Sequence, residues 1–212
     1  PIASQMLLEG AAFALTTLMM GWLGTVTLAA NQVTMTVSNF AFMIVLGLGS
    51  AATIRVSHEY GRGNLRELKK SATAAYHLTL AYSTITATFF ILFREQIAGL
   101  FTSDPEVIAM ASYLMIFVAA FQFSDGLQSV SVGILRGMQD VKQVMIIAVV
   151  SYIIINLPIA YFCAFVLKLG PGGLWAGFIF GLSVAAFLLI TRLRKQLALL
   201  RRQQIEARRG EC

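Results

Sequence analysis

Long stretches without charged residues set the strongest constraint on how this chain can fold. No Asp, Glu, Lys or Arg occurs at residues 10–54, 71–93, 143–167 or 169–191, and a single acid interrupts residues 107–135. A helix that crosses the hydrocarbon core of a bilayer needs about 20 mainly apolar residues. Each stretch is long enough for one span and the first is long enough for two, so the sequence predicts an all-α, polytopic membrane protein with a bundle of six transmembrane helices.

Composition supports this class and argues against several functions. The chain is 58% hydrophobic and 12% charged, whereas soluble domains carry about 25% charged residues. The net charge of +6 does not indicate a nucleic-acid partner, because the basic residues flank the apolar stretches. Cys163 and Cys212 indicate neither a disulfide framework nor a metal site. We expect no signal peptide, and the chain resembles a piece of something longer.

The six predicted helices cover about residues 3–23, 29–56, 71–93, 105–135, 144–167 and 174–191. Ser103 or Asp104 is predicted to cap the fourth helix, and Pro158 predicts a kink in the fifth. Small residues every four positions predict close helix packing of the sixth helix: Gly173, Gly177 and Gly181.

The basic residues predict an orientation. Of the 16 Lys and Arg residues, all except Arg94 and Lys168 lie on the side of the predicted bundle that holds both termini. Cytoplasmic loops of membrane proteins are rich in Lys and Arg. We therefore expect a multi-pass protein of the inner (plasma) membrane with both termini in the cytoplasm. Residues 1–191 form the predicted six-helix transmembrane lobe, and residues 192–212 form a basic cytoplasmic tail.

Two acids, Glu9 and Asp125, lie well inside predicted spans. A charge at membrane depth is costly and is usually kept for an ion pathway, a proton relay or a ligand, although an acid can also be structural. Two carboxyl groups in one cavity can hold a proton or exchange it for Na⁺ or an organic cation. Residues on the same helical faces as the acids are predicted neighbours in the site: Gln122, Gln128 and Ser129 beside Asp125, and Phe13 and Thr16 beside Glu9.

Other polar residues at membrane depth are candidates for lining a cavity. They are Gln32, Thr36 and Asn39 on the second helix and Asn156 on the fifth. Taken singly, such residues more often form hydrogen bonds between helices. No pairing of Ser with His, Asp with Asp or His with Glu occurs at a workable spacing, so neither an enzyme nor a cofactor is predicted.

Several motifs resemble the multidrug and toxic compound extrusion (MATE) transporters of the NorM type. Residues similar to the family's seventh helix are Glu9, Phe13, Gly21-Trp22-Leu23-Gly24 and Leu28-Ala29-Ala30-Asn31-Gln32. Residues similar to its eighth helix are Phe42-Met43, Leu46-Gly47, Ala51-Ala52, Ile54-Arg55-Val56 and Gly61. Residues similar to its tenth helix are Asp125-Gly126-Leu127-Gln128, Gly133 and Leu135-Arg136-Gly137. The resemblance implies the C-terminal lobe, helices seven to twelve, which is one half of a pseudo-two-fold twelve-helix transporter.

The resemblance also implies a function. Such a lobe is the cation-binding half of a secondary active antiporter that exports amphipathic or cationic drugs in exchange for H⁺ or Na⁺. Its partners are the N-terminal six-helix lobe, the small amphipathic or cationic substrates and the lipid bilayer. Glu9 and Asp125 match the family's cation site, so the resemblance implies that they bind the coupling H⁺ or Na⁺. The family usually has a tyrosine where Phe121 stands. A benzene ring without the hydroxyl attracts a cation more weakly, which shifts the expectation toward H⁺.

Two other functions remain open from the sequence. A flippase of the same superfamily for lipid-linked sugars would favour several basic residues inside a cavity, and no Lys or Arg lies in the middle of a predicted span. In a non-transporting membrane assembly subunit, the two acids would be structural.

Overall fold

Seven α-helices account for nearly all of the chain. The computed structural model describes the backbone of residues 2–210 and the side chains of residues 5–206. The helices are α1 (Ile2–Trp22), α2 (Thr25–Gly61), α3 (Leu65–Leu92), α4 (Arg94–Gly99), α5 (Pro105–Gly137), α6 (Val141–Val166) and α7 (Gly170–Gly210). No β-strand occurs among the described residues.

Polar residues determine where two of the helices begin. Asp104 accepts a hydrogen bond from the backbone N–H of Glu106 at 2.9 Å, and Pro105 is the first residue of α5, a position where its missing N–H costs nothing. Asn64 caps α3 in the same way by accepting a hydrogen bond from the N–H of Glu67 at 3.2 Å. The predicted cap of the fourth span is therefore confirmed, and Asp104 rather than Ser103 provides it.

The predicted all-α membrane class is confirmed. Among the described residues, α2, α3, α5, α6 and α7 are long and apolar enough to cross a membrane. α1 has 21 residues, which is about 31 Å at 1.5 Å per residue and close to the thickness of the hydrocarbon core. That α1 also crosses the membrane stays a prediction. The short helix α4 was not predicted, because six residues are too few to show a period.

α6 departs from a regular α-helix on both sides of Pro158. Residues Val150–Asn156 and Phe162–Val166 are π-helical, with a short α-helical segment between them. Proline removes a backbone donor and displaces the preceding turn, and π-helical turns are frequent at functional sites. The irregularity predicted from Pro158 therefore takes the form of two wide-turned stretches.

α5 is the central helix of the bundle and packs against α2, α3 and α7. Two seams bring backbones unusually close together. A Cβ atom added to Gly133 of α5 would lie 2.5 Å from the carbonyl oxygen of Gly49 in α2. In α7, a Cβ atom added to Gly177 would lie 2.5 Å from Cα of Ala160 in α6. Gly173 and Gly181 meet α6 in the same way, so the predicted packing stripe is confirmed.

α7 continues as a helix well beyond the end of its apolar part. The predicted span ends near Thr191, whereas the helix extends to Gly210. Polar contacts hold the extension at two places: Arg192 Nε and Gln196 Nε2 donate to Asp140 at 2.6 and 3.0 Å, and Gln204 Nε2 donates to the carbonyl oxygen of Gly63 at 2.5 Å. The extension is thus tied to the ends of α5 and α2.

Candidate functional site

Both acids line one cavity between α1, α2 and α5. The cavity has a volume of about 300 Å³. Glu9 enters it from α1 and Asp125 from α5. Its remaining walls are mainly aromatic and sulfur-containing: Met6, Phe13, Met35, Phe42 and Phe121, with Ser38 and Asn39 as further polar residues. The arrangement therefore combines two carboxyl groups with adaptable apolar walls.

The carboxyl group of Glu9 is held by a tyrosine from another helix. Tyr152 lies in the first π-helical stretch of α6, and its hydroxyl donates a hydrogen bond to Glu9 Oε1. The tyrosine side chain is only 1% exposed. Because a buried hydroxyl must find a partner, this contact fixes both side chains and leaves Glu9 with one carboxylate oxygen outside the bond.

Asp125 has a different environment. Its side chain is 5% exposed and faces the cavity that Glu9 also lines. Within the described part of the chain, no side chain donates a hydrogen bond to it. A buried charged group without a partner is unfavourable, so Asp125 must be neutral or neutralised by a cation. Asp125 is therefore the acid whose state can change most readily.

Aromatic rings form one wall of the cavity. Phe13 and Phe121 meet edge to face with their ring centroids 6.4 Å apart. Behind them, Phe178 of α7 stacks on Phe13 at 4.5 Å, and Trp175 packs edge to face on Phe121 at 5.4 Å. Rings packed in this way have little freedom to rotate. The packing of α7 residues therefore holds the Phe13 and Phe121 rings of the cavity wall in place.

A second, smaller cavity of about 80 Å³ begins at Glu9 and extends toward the end of α5. Gln128 and Ser129 line it, together with Arg136. At this end Arg136 Nη2 donates to Gln5 Oε1 at 3.1 Å. Glu9 thus belongs to both cavities and lies between Asp125 and a guanidinium group.

The structure brings some of the predicted site residues together and leaves others apart. Glu9, Asp125, Phe13, Phe121 and Asn39 line the larger cavity, and Gln128 and Ser129 line the smaller one. The remaining candidates line neither cavity: Thr16, Gln32, Thr36, Gln122 and Asn156.

Hydrogen bonding explains the position of two of the remaining candidates. Thr16 Oγ1 donates to the carbonyl oxygen of Ala12, and Thr36 Oγ1 donates to that of Gln32, so both hydroxyls are used within their own helices. Gln122 and Asn156 are both fully buried, and neither side-chain amide has a hydrogen-bond partner among the described residues.

Three residues of this region were missed by the sequence reasoning. Tyr152 lies in an apolar stretch that offers no polar stripe, Arg136 follows its span and looked like a loop residue, and Ser38 was passed over beside Asn39. A search for hydroxyl groups inside apolar runs would have found Tyr152. Among the described residues, no group of three His, Cys, Asp or Glu side chains converges on a metal-binding position.

Comparisons with known proteins identify the family to which the chain is similar. The MatE family model matches residues 1–162. The chain is 39% identical over 195 residues to "Probable multidrug resistance protein NorM" of Xanthomonas axonopodis pv. citri (strain 306), and 39% identical over 198 residues to "Multidrug resistance protein MdtK" of Pectobacterium atrosepticum. Each match covers 92% of this chain and 43% of the relative.

Solved structures show the same fold. The crystal structure of the eukaryotic MATE transporter AtDTX14 superimposes with a TM-score of 0.84 at 25% identity, covering 95% of this chain and 46% of that one. An outward-facing multidrug resistance MATE family transporter of the MOP superfamily gives a TM-score of 0.86 at 18% identity, over 93% and 45% of the two chains. The chain spans less than half the length of these proteins, and it belongs to the MatE family.

Proposed function

We propose that this chain is the C-terminal, cation-binding half of a secondary active antiporter that exports amphipathic or cationic compounds in exchange for H⁺ or Na⁺. One observation carries the proposal: Glu9 and Asp125 line the same cavity. The names of the relatives, which are multidrug resistance proteins, support export of drugs. The N-terminal six-helix lobe is the proposed partner, and both termini are placed in the cytoplasm by the distribution of basic residues.

The two acids have different roles in this proposal. Asp125 has no hydrogen-bond donor in the described part of the chain, so it takes up the coupling cation. Glu9 keeps one oxygen on Tyr152 and offers the other to the same cation. An organic cation competes for the pair of carboxylates and packs against Phe13 and Phe121, where its charge also meets the faces or edges of aromatic rings.

Exchange requires only that the two cations cannot occupy the site together. If the site opens to one side of the membrane with one cation and to the other side with its competitor, each cation drives the other across. The smaller cavity from Glu9 to Arg136 is the proposed route for the small coupling ion, because it is too narrow for a drug. The Arg136–Gln5 hydrogen bond lies at its far end.

The flippase alternative has less support. Lipid-linked sugars carry phosphate groups, which are bound by clusters of Arg and Lys. Arg136 is the sole basic residue among those lining the two cavities in the described part of the chain. A pair of carboxyl groups beside one guanidinium suits cations better than phosphates.

The proposal is tested with matched acid-to-amide changes in the full-length protein. Asp125→Asn and Glu9→Gln remove the carboxylates and should each reduce cation-driven drug efflux to the level of cells that lack the transporter. Asp104→Asn and Glu106→Gln are the matched controls, since both acids are exposed at the start of α5 and Asn also caps helices. The controls should keep normal efflux.

Expression and melting temperature are measured for all four variants, so that a loss of efflux is not mistaken for a loss of folding. Efflux that survives both Asp125→Asn and Glu9→Gln in folded protein would contradict the cation-site assignment. A non-transporting assembly subunit predicts instead that the unchanged protein has no cation-driven efflux of its own.

A further inference from the structure

A basic groove lies at the end of the bundle that holds the α2–α3 turn. Lys69 of α3 and Arg194, Arg201 and Arg202 of α7 line it, and its volume is about 510 Å³. Leu197, Ala198 and Ile205 contribute apolar surface between the four cations. The groove is separate from the two cavities at Glu9, with which it shares no residue.

Helical spacing explains why the groove is both basic and apolar. Arg194 and Arg201 are seven residues apart, which places them two turns apart on one face of α7. Leu197 and Ala198 lie between them on that face, at the i+3 and i+4 positions from Arg194. The groove-lining face of the α7 extension therefore alternates cations with apolar side chains over two turns.

Acids of the described chain do not neutralise the four cations. The nearby acids form ion pairs with other residues: Asp140 with Arg192 at 2.6 Å, Glu67 with Lys70 at 2.8 Å and Glu59 with Arg55 at 3.9 Å. Glu206 follows Arg202 by one turn but lies beyond ion-pair distance of every described cation. The groove thus keeps an uncompensated positive charge.

The groove begins next to the end of the apolar part of α7 and extends away from it, since Arg201 and Ile205 lie 10 and 14 residues beyond Thr191, about 15 and 21 Å along the helix. α7 has 41 residues, about 62 Å at 1.5 Å per residue, which is twice the hydrocarbon thickness of about 30 Å. Its charge-free part ends at Thr191, only three residues before Arg194. Lys69 occupies the equivalent position on α3, two residues before the charge-free stretch that begins at residue 71.

We infer that this basic groove binds the phosphate headgroup of an anionic phospholipid. The guanidinium groups of Arg194, Arg201 and Arg202 donate to the phosphate oxygens. Leu197, six residues beyond Thr191, contacts the glycerol backbone of the lipid. A free phosphate ion would not need the apolar surface of the groove. The inference does not depend on the proposed antiport.

Lipid titration followed by native mass spectrometry tests this inference on the full-length protein in detergent. Phosphatidylglycerol is the anionic probe and phosphatidylcholine is the zwitterionic control. A cation near an anionic lipid surface contributes about fivefold in affinity (about 1 kcal/mol). The triple change Arg194→Gln, Arg201→Gln and Arg202→Gln should therefore weaken phosphatidylglycerol binding by about tenfold or more and leave phosphatidylcholine binding unchanged.

The matched control removes three charges outside the groove at the same end of the bundle: Arg62→Gln, Arg66→Gln and Lys195→Gln. This variant should keep phosphatidylglycerol affinity within about twofold of the unchanged protein. If both variants lose phosphatidylglycerol affinity equally, net charge rather than the groove attracts the lipid. If neither variant loses affinity, the groove is not a lipid site. Either result overturns the inference.

Two further measurements separate lipid binding from an effect on folding and from binding of a free phosphate ion. Arg201→Gln alone changes one exposed side chain. This variant should keep the melting temperature of the unchanged protein and should weaken phosphatidylglycerol binding by about fivefold. Inorganic phosphate, added at the concentration of the lipid, should not displace phosphatidylglycerol. Displacement would show a site for a free anion and would overturn the lipid assignment.

Discussion

α2 and α5 are in close contact at one end and stand apart at the other. At the contact, Gly133 of α5 lies against the backbone of Gly49, and Thr53 Oγ1 donates to the carbonyl oxygen of Gly133 at 2.9 Å. About two and four turns away from Gly49, Phe42 and Met35 of α2 face the cavity that holds Asp125. The same two helices therefore provide a close seam, which borders the smaller cavity at Gly49, Thr53 and Gly133, and a wider chamber.

Side-chain size accounts for this difference. Glycine lets two helix backbones approach closely, which gains dispersion energy and backbone–side-chain hydrogen bonds. Methionine and phenylalanine keep the helices apart, and the space between them admits a ligand. The acid lies where the helices separate, so the chain places its charge where a counter-ion can reach it. We expect changes in the seam to affect folding first, since they separate the backbones of α2 and α5, although Gly49 and Gly133 also line the smaller cavity. We expect changes at the chamber to affect ion coupling in folded protein.

The largest effect on folding is expected from Gly133→Ala. The new methyl group would lie 2.5 Å from the carbonyl oxygen of Gly49, so the helices must separate at a cost of about 1–3 kcal/mol. Gly47→Ala is the matched control on α2, because a Cβ atom there meets nothing within 4 Å and alanine favours helix by about 1 kcal/mol. Thermal unfolding in detergent measures both. A Gly133→Ala protein with normal stability but lost ion coupling would contradict the expectation that the seam acts on folding and the chamber on ion coupling.

An intermediate effect is expected from Tyr152→Phe. The change removes the hydroxyl that donates to Glu9 and leaves a buried carboxyl group without that donor, which costs about 1–3 kcal/mol. Ion-driven efflux should fall by about tenfold, which corresponds to about 1.4 kcal/mol. Tyr161→Phe is the control, since Tyr161 is half exposed on the same helix. Unchanged efflux in Tyr152→Phe would show that the tyrosine serves packing only.

The smallest effect is expected from Phe121→Tyr. The change adds one oxygen next to Asp125 in the cavity wall and should increase the dependence of efflux on Na⁺ by a few-fold. Combined with Tyr152→Phe, it should restore part of the lost coupling, because it returns a hydroxyl group to the neighbourhood of the two acids. Efflux measured at several Na⁺ concentrations checks both results, and an unchanged Na⁺ response would show that residue 121 lies outside the site.

The spans could be predicted from the sequence because a membrane imposes a simple rule on charge. The gaps between charged residues predicted six helices, all of which the structure has, and five of them are long and apolar enough to cross a membrane. The two isolated acids predicted a shared cavity that both acids line. The resemblance to the MatE family added the identity of the lobe. These features depend on local composition and on the cost of burying charge.

The neighbours of the acids could be predicted only in part, because a helical face does not say which helix packs against it. Gln122 and Asp125 lie on the same face of a helix with 100° per residue. However, α5 is enclosed by neighbouring helices on several sides, so Gln122 is buried away from the cavities. Gln32 and Thr36 follow the same spacing as Asn39, but Gln32 precedes Met35, the first residue of α2 that lines the chamber, and the Thr36 hydroxyl donates to the backbone of its own helix. Tyr152 comes from a helix 143 residues away from Glu9 in the chain, which no local pattern can indicate.

The π-helical stretch of α6 has a consequence for the direction of its polar groups. Ser151, Tyr152 and Asn156 are all buried, with exposures of 1%, 1% and 0%. In an α-helix, residues five positions apart point about 140° away from each other, so either Ser151 or Asn156 would face lipid. Where hydrogen bonds run from i to i+5, residues five apart are stacked along one side. The widened turns thus keep a serine, a tyrosine and an asparagine out of the acyl chains without a change of sequence.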